Sequence, residues 1–161
     1  IRFHTGSIRV CNASYGRNGW LGLAQIWLSG GHIAQGTAKV NDSYFALAKY
    51  NTPAWKNHVM CQEVGHTLGL SHTSEDGSSQ QTCMDYAIDP TGSQHPNQHD
   101  YDQLELIYIH LDSSTTVASS AATAGQNEDR GQLVGRRGRT EHWVRPLPGG
   151  DELHSFVIRA D

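Results

Sequence analysis

One short stretch of this chain carries side chains whose types and spacing can do chemistry together: Gln62-Glu63-Val64-Gly65-His66-Thr67-Leu68-Gly69-Leu70-Ser71-His72. On a helix, positions 62 and 66 lie one turn apart on the same face, so both can reach one ion. Glu63 stands beside them, where a carboxylate can act on a water that the ion activates. Gly69 lets the backbone turn sharply, which brings His72 back toward the same point. Two imidazoles, a third donor and an open position form the plan of a catalytic zinc site, so Zn2+ is the expected cofactor, held by Gln62, His66 and His72. Gln62 supplies a neutral carbonyl oxygen, a harder and usually weaker zinc donor than imidazole. That predicts reduced metal affinity, with the ion keeping its full charge. His58 sits eight residues before His66, ~12 Å away along a helix axis, too far to share the ion. It is expected at the surface or in an outer hydrogen-bonding position. His95, His99 and His110 are weak metal candidates, and Glu75 and Asp76 read as a polar loop.

These residues need elements to hold them. Thr52-Pro53 is a helix start, with threonine as N-cap and proline at the first helical position. Met60, Val64 and Leu68 recur every four residues as the helix's apolar stripe, and Gly69 ends it. Before it, Ile8–Cys11, Trp20–Leu28 and the weaker Thr37–Val40 read as strands, the second closed by Gly30-Gly31. Residues 73–98 read as loop. Asp100 and Gln103 resemble a capping box opening a second helix, whose apolar face is Leu104, Ile107, Tyr108 and Leu111. Residues 113–124 contain eleven Ser, Thr or Ala in twelve positions, a linker composition. Beyond them Arg139–Arg145 and Leu153–Ile158 are expected to pair as a hairpin around Pro148-Gly149-Gly150. The basic run Arg136-Arg137-Gly138-Arg139 is read as solvated surface, since residues 125–161 hold six Arg and six acids.

Composition narrows the function. The chain has 161 residues and a formal net charge of −4, with 37% hydrophobic and 17% charged residues. That suffices for one core and argues against a nucleic-acid binder, which needs a basic face. The longest apolar run, Trp20–Leu28, is far too short to span a membrane. Ten histidines are many for this length, and six fall from His58 through His110. The start at Ile1 reads as a processed or trimmed form. Of three cysteines, Cys61 and Cys83 bracket the richest stretch. They are expected to form a disulfide, worth roughly 3 kcal/mol on the chain-entropy model, with two buried thiols as the alternative. A disulfide would mean secretion. Cys11 is left over as a buried thiol.

The 62–72 stretch resembles the zinc-protease motif of the metzincin clan, H-E-x-x-H-x-x-G-x-x-H, with Gln62 where the first histidine belongs. Cys83-Met84-Asp85-Tyr86, with Met84 twelve residues after His72, is similar to that clan's Met-turn, closest to its astacin and serralysin forms. Pro96-Asn97-Gln98-His99-Asp100 through Tyr108 resembles the C-terminal helix of matrixin-like members. The resemblance spans roughly residues 1–112. It implies an α+β fold with a mixed twisted sheet, an active-site helix, a Met-turn and a C-terminal helix. The division expected is a catalytic domain over 1–112, a linker over 113–129 and an appended β-hairpin over 130–161.

For function, the resemblance implies a secreted, monomeric zinc endopeptidase acting on protein or peptide, with no nucleic-acid or membrane partner. Glu63 would be general base and acid, Tyr86 the tyrosine that stabilises the oxyanion, and Met84 an apolar floor under the metal. Substrate would lie extended along the strand at 20–28, which falls where the clan places its substrate-binding edge, and residues 86–99 would wall the pocket beyond the scissile bond. The alternative is a metzincin-fold binding module without turnover, which the glutamine at 62 motivates.

Overall fold

The computed structural model describes residues 5–74, 76–110 and 129–161. It is an α+β structure built on one mixed sheet of six strands in the order β1-β3-β2-β6-β5-β4. The strands are β1 (Ile8–Ala13), β2 (Trp20–Ser29), β3 (His32–Asn41), β4 (Gln132–Arg137), β5 (Thr140–Pro146) and β6 (Glu152–Arg159). β1 runs parallel to β3, and the other pairings are antiparallel. Gly30 and Gly31 both take positive φ, 58° and 84°; they end β2 as the sequence predicts and, beyond that expectation, turn the chain into an antiparallel hairpin with β3. β3 is longer than the Thr37–Val40 expected, because β2 extends its ladder to His32 and β1 pairs with it from Gly36.

Three helices follow the first strands: a short α1 (Asp42–Phe45), the long α2 (Pro53–Thr67) and α3 (Gln98–Tyr108). Thr52 caps α2, its hydroxyl accepting from the Trp55 amide, with Pro53 in the first turn. α2 packs on β2 and β3, and Leu21, Val40, Tyr50, Trp55, Val59 and Ile158 form the main core between them. The buried face is not the predicted Met60–Val64–Leu68 stripe, which is only half-buried. It consists of Trp55, His58, Val59, Gln62, Glu63, Gly65, His66 and Thr67. An apolar-periodicity argument misplaces this face because its second half is polar.

Asn97 caps α3 and forms a true capping box with Asp100, three residues upstream of the expected start. The reason is that Asp100 sits at N3, not at the cap. Leu104 and Ile107 pack beside Leu70, Cys83 and Met84 as expected, whereas Tyr108 is exposed. Leu111 lies outside the described residues.

The C-terminal strands correct the expected architecture. β5 and β6 pair as predicted, but they are not an appendage. β6 lies between β2 and β5, paired with β2 from Trp20↔Arg159 to Leu28↔Glu152. β2 is therefore an interior strand, not the edge expected for substrate. The cause is side-chain pattern: Leu153, Val157 and Ile158 need burial and find it on this sheet. The basic run also divides, with Arg136 and Arg137 exposed and Arg139 buried over the Trp55 and Tyr86 rings. Cys61 and Cys83 form a disulfide. Cys11 is half-buried, 3.5 Å from the Tyr15 hydroxyl. Among the described residues, no helix is long and apolar enough to cross a membrane.

α2 ends in a Schellman turn: the Gly69 amide donates to His66 O (3.0 Å) and the Leu70 amide to Gly65 O (3.1 Å). Gly69 takes φ +93°, and a Cβ there meets only ordinary contacts at 3.4 Å or more. The cost of a side chain is thus conformational. Gly69→Ala should lose about 1–2 kcal/mol in urea unfolding and Gly69→Asn clearly less, because asparagine tolerates the left-handed region. Equal stability of Gly69→Ala and the native chain would contradict this account of the turn.

Candidate metal centre

The Schellman turn that ends α2 also builds the site. It turns the chain so that the Leu70 carbonyl points back at His66, whose Nδ1 lies 2.8 Å from it. A carbonyl oxygen only accepts, so Nδ1 carries the hydrogen and Nε2 keeps its lone pair. Two residues later His72 presents its own Nε2 to that lone pair at 3.0 Å, the rings meeting edge-on. Nitrogens sharing one tetrahedral zinc at ~2.0–2.1 Å lie roughly 3.3 Å apart, so the two Nε2 atoms are spaced for a common ion.

The segment carrying His72 is fixed by its neighbours. The Thr73 amide donates to Met84 O (2.8 Å) and the Tyr86 amide to Ser74 O (2.7 Å). Buried Asp100 takes the Thr82 hydroxyl and, at 3.4 Å, that of Thr73, so α3 ties His72 to the Met84 turn. Met84 is fully buried under α2, where a Cβ on Gly65 would sit 2.3 Å from its sulfur. This is an apolar floor directly beneath the His66 turn.

Gln62 lies one turn before His66 and is buried. Its Nε2 donates to the Asp85 carbonyl at 2.9 Å, which fixes the amide's orientation and leaves Oε1 as the atom it can offer a cation. Among the described residues no three His, Cys, Asp or Glu side chains gather as a metal site. His66 and His72 meet through their Nε2 atoms, Gln62 stands one turn before His66 on the buried face of α2, and an unpaired carboxyl lies beside them.

That carboxyl is Glu63, fully buried, with neither oxygen in a formed hydrogen bond. Burial pushes its pKa well above the usual carboxylate value, and the nearby Ala24 backbone offsets this only weakly. It reaches the sheet at Gly22, where a Cβ would come within 2.2 Å of Oε1 and 2.7 Å of Val59 Cγ1. His66 is held well below the usual histidine range by burial first and by His72 second. Burial, then His142, brings His72 down to about 4. Burial thus favours the neutral forms of both imidazoles and of the carboxyl, and of these only the carboxyl would have to give up a proton to a nearby divalent cation.

The C-terminal strands close over this centre. Phe156 stacks on His66 with ring centroids 4.4 Å apart and planes at 11°, and His142 stacks on the other face of Phe156 at 4.4 Å and 10°. His142 Nε2 in turn meets His154 Nδ1 at 2.9 Å. A cavity of about 830 Å3 opens between the His72 segment and β4–β5, lined by His72, Ser74, Gly135, His142 and Phe156 among others. Residues 71–80 on one side and β4, β5 and Phe156 on the other line this cavity, and none of residues 86–99 does. The Tyr86 hydroxyl accepts from Arg139 Nε at 2.8 Å. His58 is buried, not at the surface, with Nδ1 2.6 Å from Ser93 O. Asp76 is an exposed turn residue bonded to Ser74 and Ser78, and Glu75 lies outside the described residues.

Sequence reasoning missed Gly22, Leu70, Phe156 and His142 as parts of the centre. A glycine inside an apolar strand run signals close approach of another element, and Gly22 carried that signal. Phe156 and His142 depend on strand register far along the chain and gave none. No protein-family model matches the chain, and neither a curated protein nor a solved structure matches it.

The depressed His72 pKa sets a pH dependence. Between the ordinary 6.5 and about 4 the unfolded chain binds a proton that the native metal-free chain does not. Stability is therefore present above 6.5 and lost as pH falls toward 4, while Glu63, raised instead, contributes most at low pH and loses its contribution as pH rises. With chelator present, the urea midpoint of His72→Gln should fall less than that of the native chain between about pH 7 and 4.5. Parallel curves would sink this reading.

Proposed function

We propose that this chain is a secreted zinc-dependent endopeptidase of metzincin type. The observation that carries the reading is the convergence of His66 Nε2 and His72 Nε2 at 3.0 Å beside the unpaired, buried carboxyl of Glu63. Gln62 Oε1, His66 Nε2 and His72 Nε2 would hold the ion. A bound zinc would supply a Lewis acid that polarises the scissile carbonyl and acidifies water.

The protein's own groups do the rest. Glu63 accepts the proton of the attacking water and returns it to the leaving amine nitrogen. Its burial favours the neutral acid without the ion, and a nearby divalent charge draws it back toward carboxylate, the form that works as a base. The Leu70 carbonyl keeps His66 in the tautomer that presents Nε2. Tyr86 accepts from the Arg139 guanidinium, which leaves its own O–H to donate to a developing oxyanion and strengthens that donation. The Cys61–Cys83 disulfide supports an oxidising compartment.

One observation favours a second reading, a binding module on the same scaffold: β6 saturates the side of β2 along which an extended peptide would pair. Metal content and casein hydrolysis separate the possibilities. The peptidase reading expects about one zinc per chain, lost in His72→Ala, and hydrolysis lowered roughly 10²- to 10⁴-fold in Glu63→Gln with zinc retained. A chain that takes up no zinc, or hydrolysis indifferent to Glu63→Gln, overturns it.

A further inference from the structure

Resting on that peptidase reading, we infer that β6 is a built-in occupant of the substrate groove, so that the chain as folded here is latent and works only when the β4–β6 meander leaves β2. A peptide bound extended in such a site would take two things: the unpaired backbone side of β2 and the space over the metal ligands. β6 takes both. It pairs antiparallel along β2 over its whole length, one side of which already belongs to β3. The register sets Phe156 directly opposite Ala24. Gly22 and Ala24, the small residues of β2 on the α2 side, leave the room through which the Phe156 ring reaches His66.

The ring does not merely touch the site. It lies flat between His66 and His142, each 4.4 Å away, and so fills the place a substrate side chain beside the ligands would need. Phe156 itself is half-buried, while Leu153, Val157 and Ile158 of the same strand are buried and anchor the β2–β6 pairing. Gln62, Glu63, His66 and His72 lie on α2 and the turn after it, outside the meander, although Ile158 of β6 shares the main core with α2.

The test uses three full-length proteins: the native chain, Phe156→Ala, and Gln25→Cys/Ser155→Cys oxidised. Gln25 and Ser155 are cross-strand partners whose side chains already meet at 3.2 Å, so their disulfide pins β6 to β2. After zinc content is measured, each is assayed for casein hydrolysis and for the rate at which excess 1,10-phenanthroline strips the metal. Phe156→Ala should hydrolyse casein and lose zinc about tenfold faster than the native chain, and the cross-linked chain should do both more slowly. With zinc bound, equal rates of both processes in native and cross-linked chains overturn latency and leave the peptidase reading standing. This comparison holds even where Phe156→Ala fails to fold. Zinc-loaded chains that hydrolyse nothing in any form overturn latency and peptidase together, and a native chain that binds no zinc overturns the reading on which both rest.

Discussion

A helix that buries glutamine, glutamate and histidine on its inner face can pack only where the opposing sheet offers almost no side chain. That constraint governs this structure. The inner face of α2 begins apolar, at Trp55 and Val59, and becomes polar at Gln62, Glu63 and His66. β2 answers with Leu21 where the helix is apolar and with Gly22 where Glu63 arrives. A methyl group at Gly22 would overlap the Glu63 carboxylate outright, so the strand's glycine is the condition for a buried acid at this point. On its other flank the helix repeats the device, Gly65 giving way to the Met84 sulfur. Burial of an unpaired carboxyl costs stability. The fold tolerates it with the Cys61–Cys83 bond holding the helix to the Met84 turn.

The turn that follows shows how economically local backbone chemistry can prepare a ligand. One left-handed glycine closes two hydrogen bonds to the end of α2, aims the Leu70 carbonyl at His66, and starts the return path of His72. Termination of the helix, choice of imidazole tautomer and approach of the second imidazole are three consequences of one φ angle. The Asp100 carboxylate completes the frame from α3, since its bonds to Thr82 and Thr73 bind the helix N-terminus to both walls of the site.

What the sequence made legible was local. The Thr52 cap, the Gly69 stop, the end of β2 at Gly30-Gly31 and the pairing of Thr140–Pro146 with Glu152–Arg159 follow from turn chemistry and alternation within a few residues. So does the meeting of His66 and His72, which needs only a helix and a turn. Two kinds of feature were not legible. The buried face of α2 was misplaced because polar residues inside a core defeat any count of apolar positions. The place of β6 was missed because a strand's partner is set by long-range burial, and the sequence from 130 onward gives no sign that its neighbour is Trp20–Ser29.

That second failure bears on how the site is to be understood. A boundary drawn after residue 112 separates the motif from an extension with no evident chemistry, yet the ring closest to the face of His66 belongs to Phe156. Stacking on an imidazole excludes water from that face, lowers the dielectric around both histidines and helps keep them neutral, which is the state a cation requires of its ligands. The same ring lies between His66 and His142, so one residue of β6 both covers the α2 histidine and links it to β5, and the β2–β6 pairing holds it there.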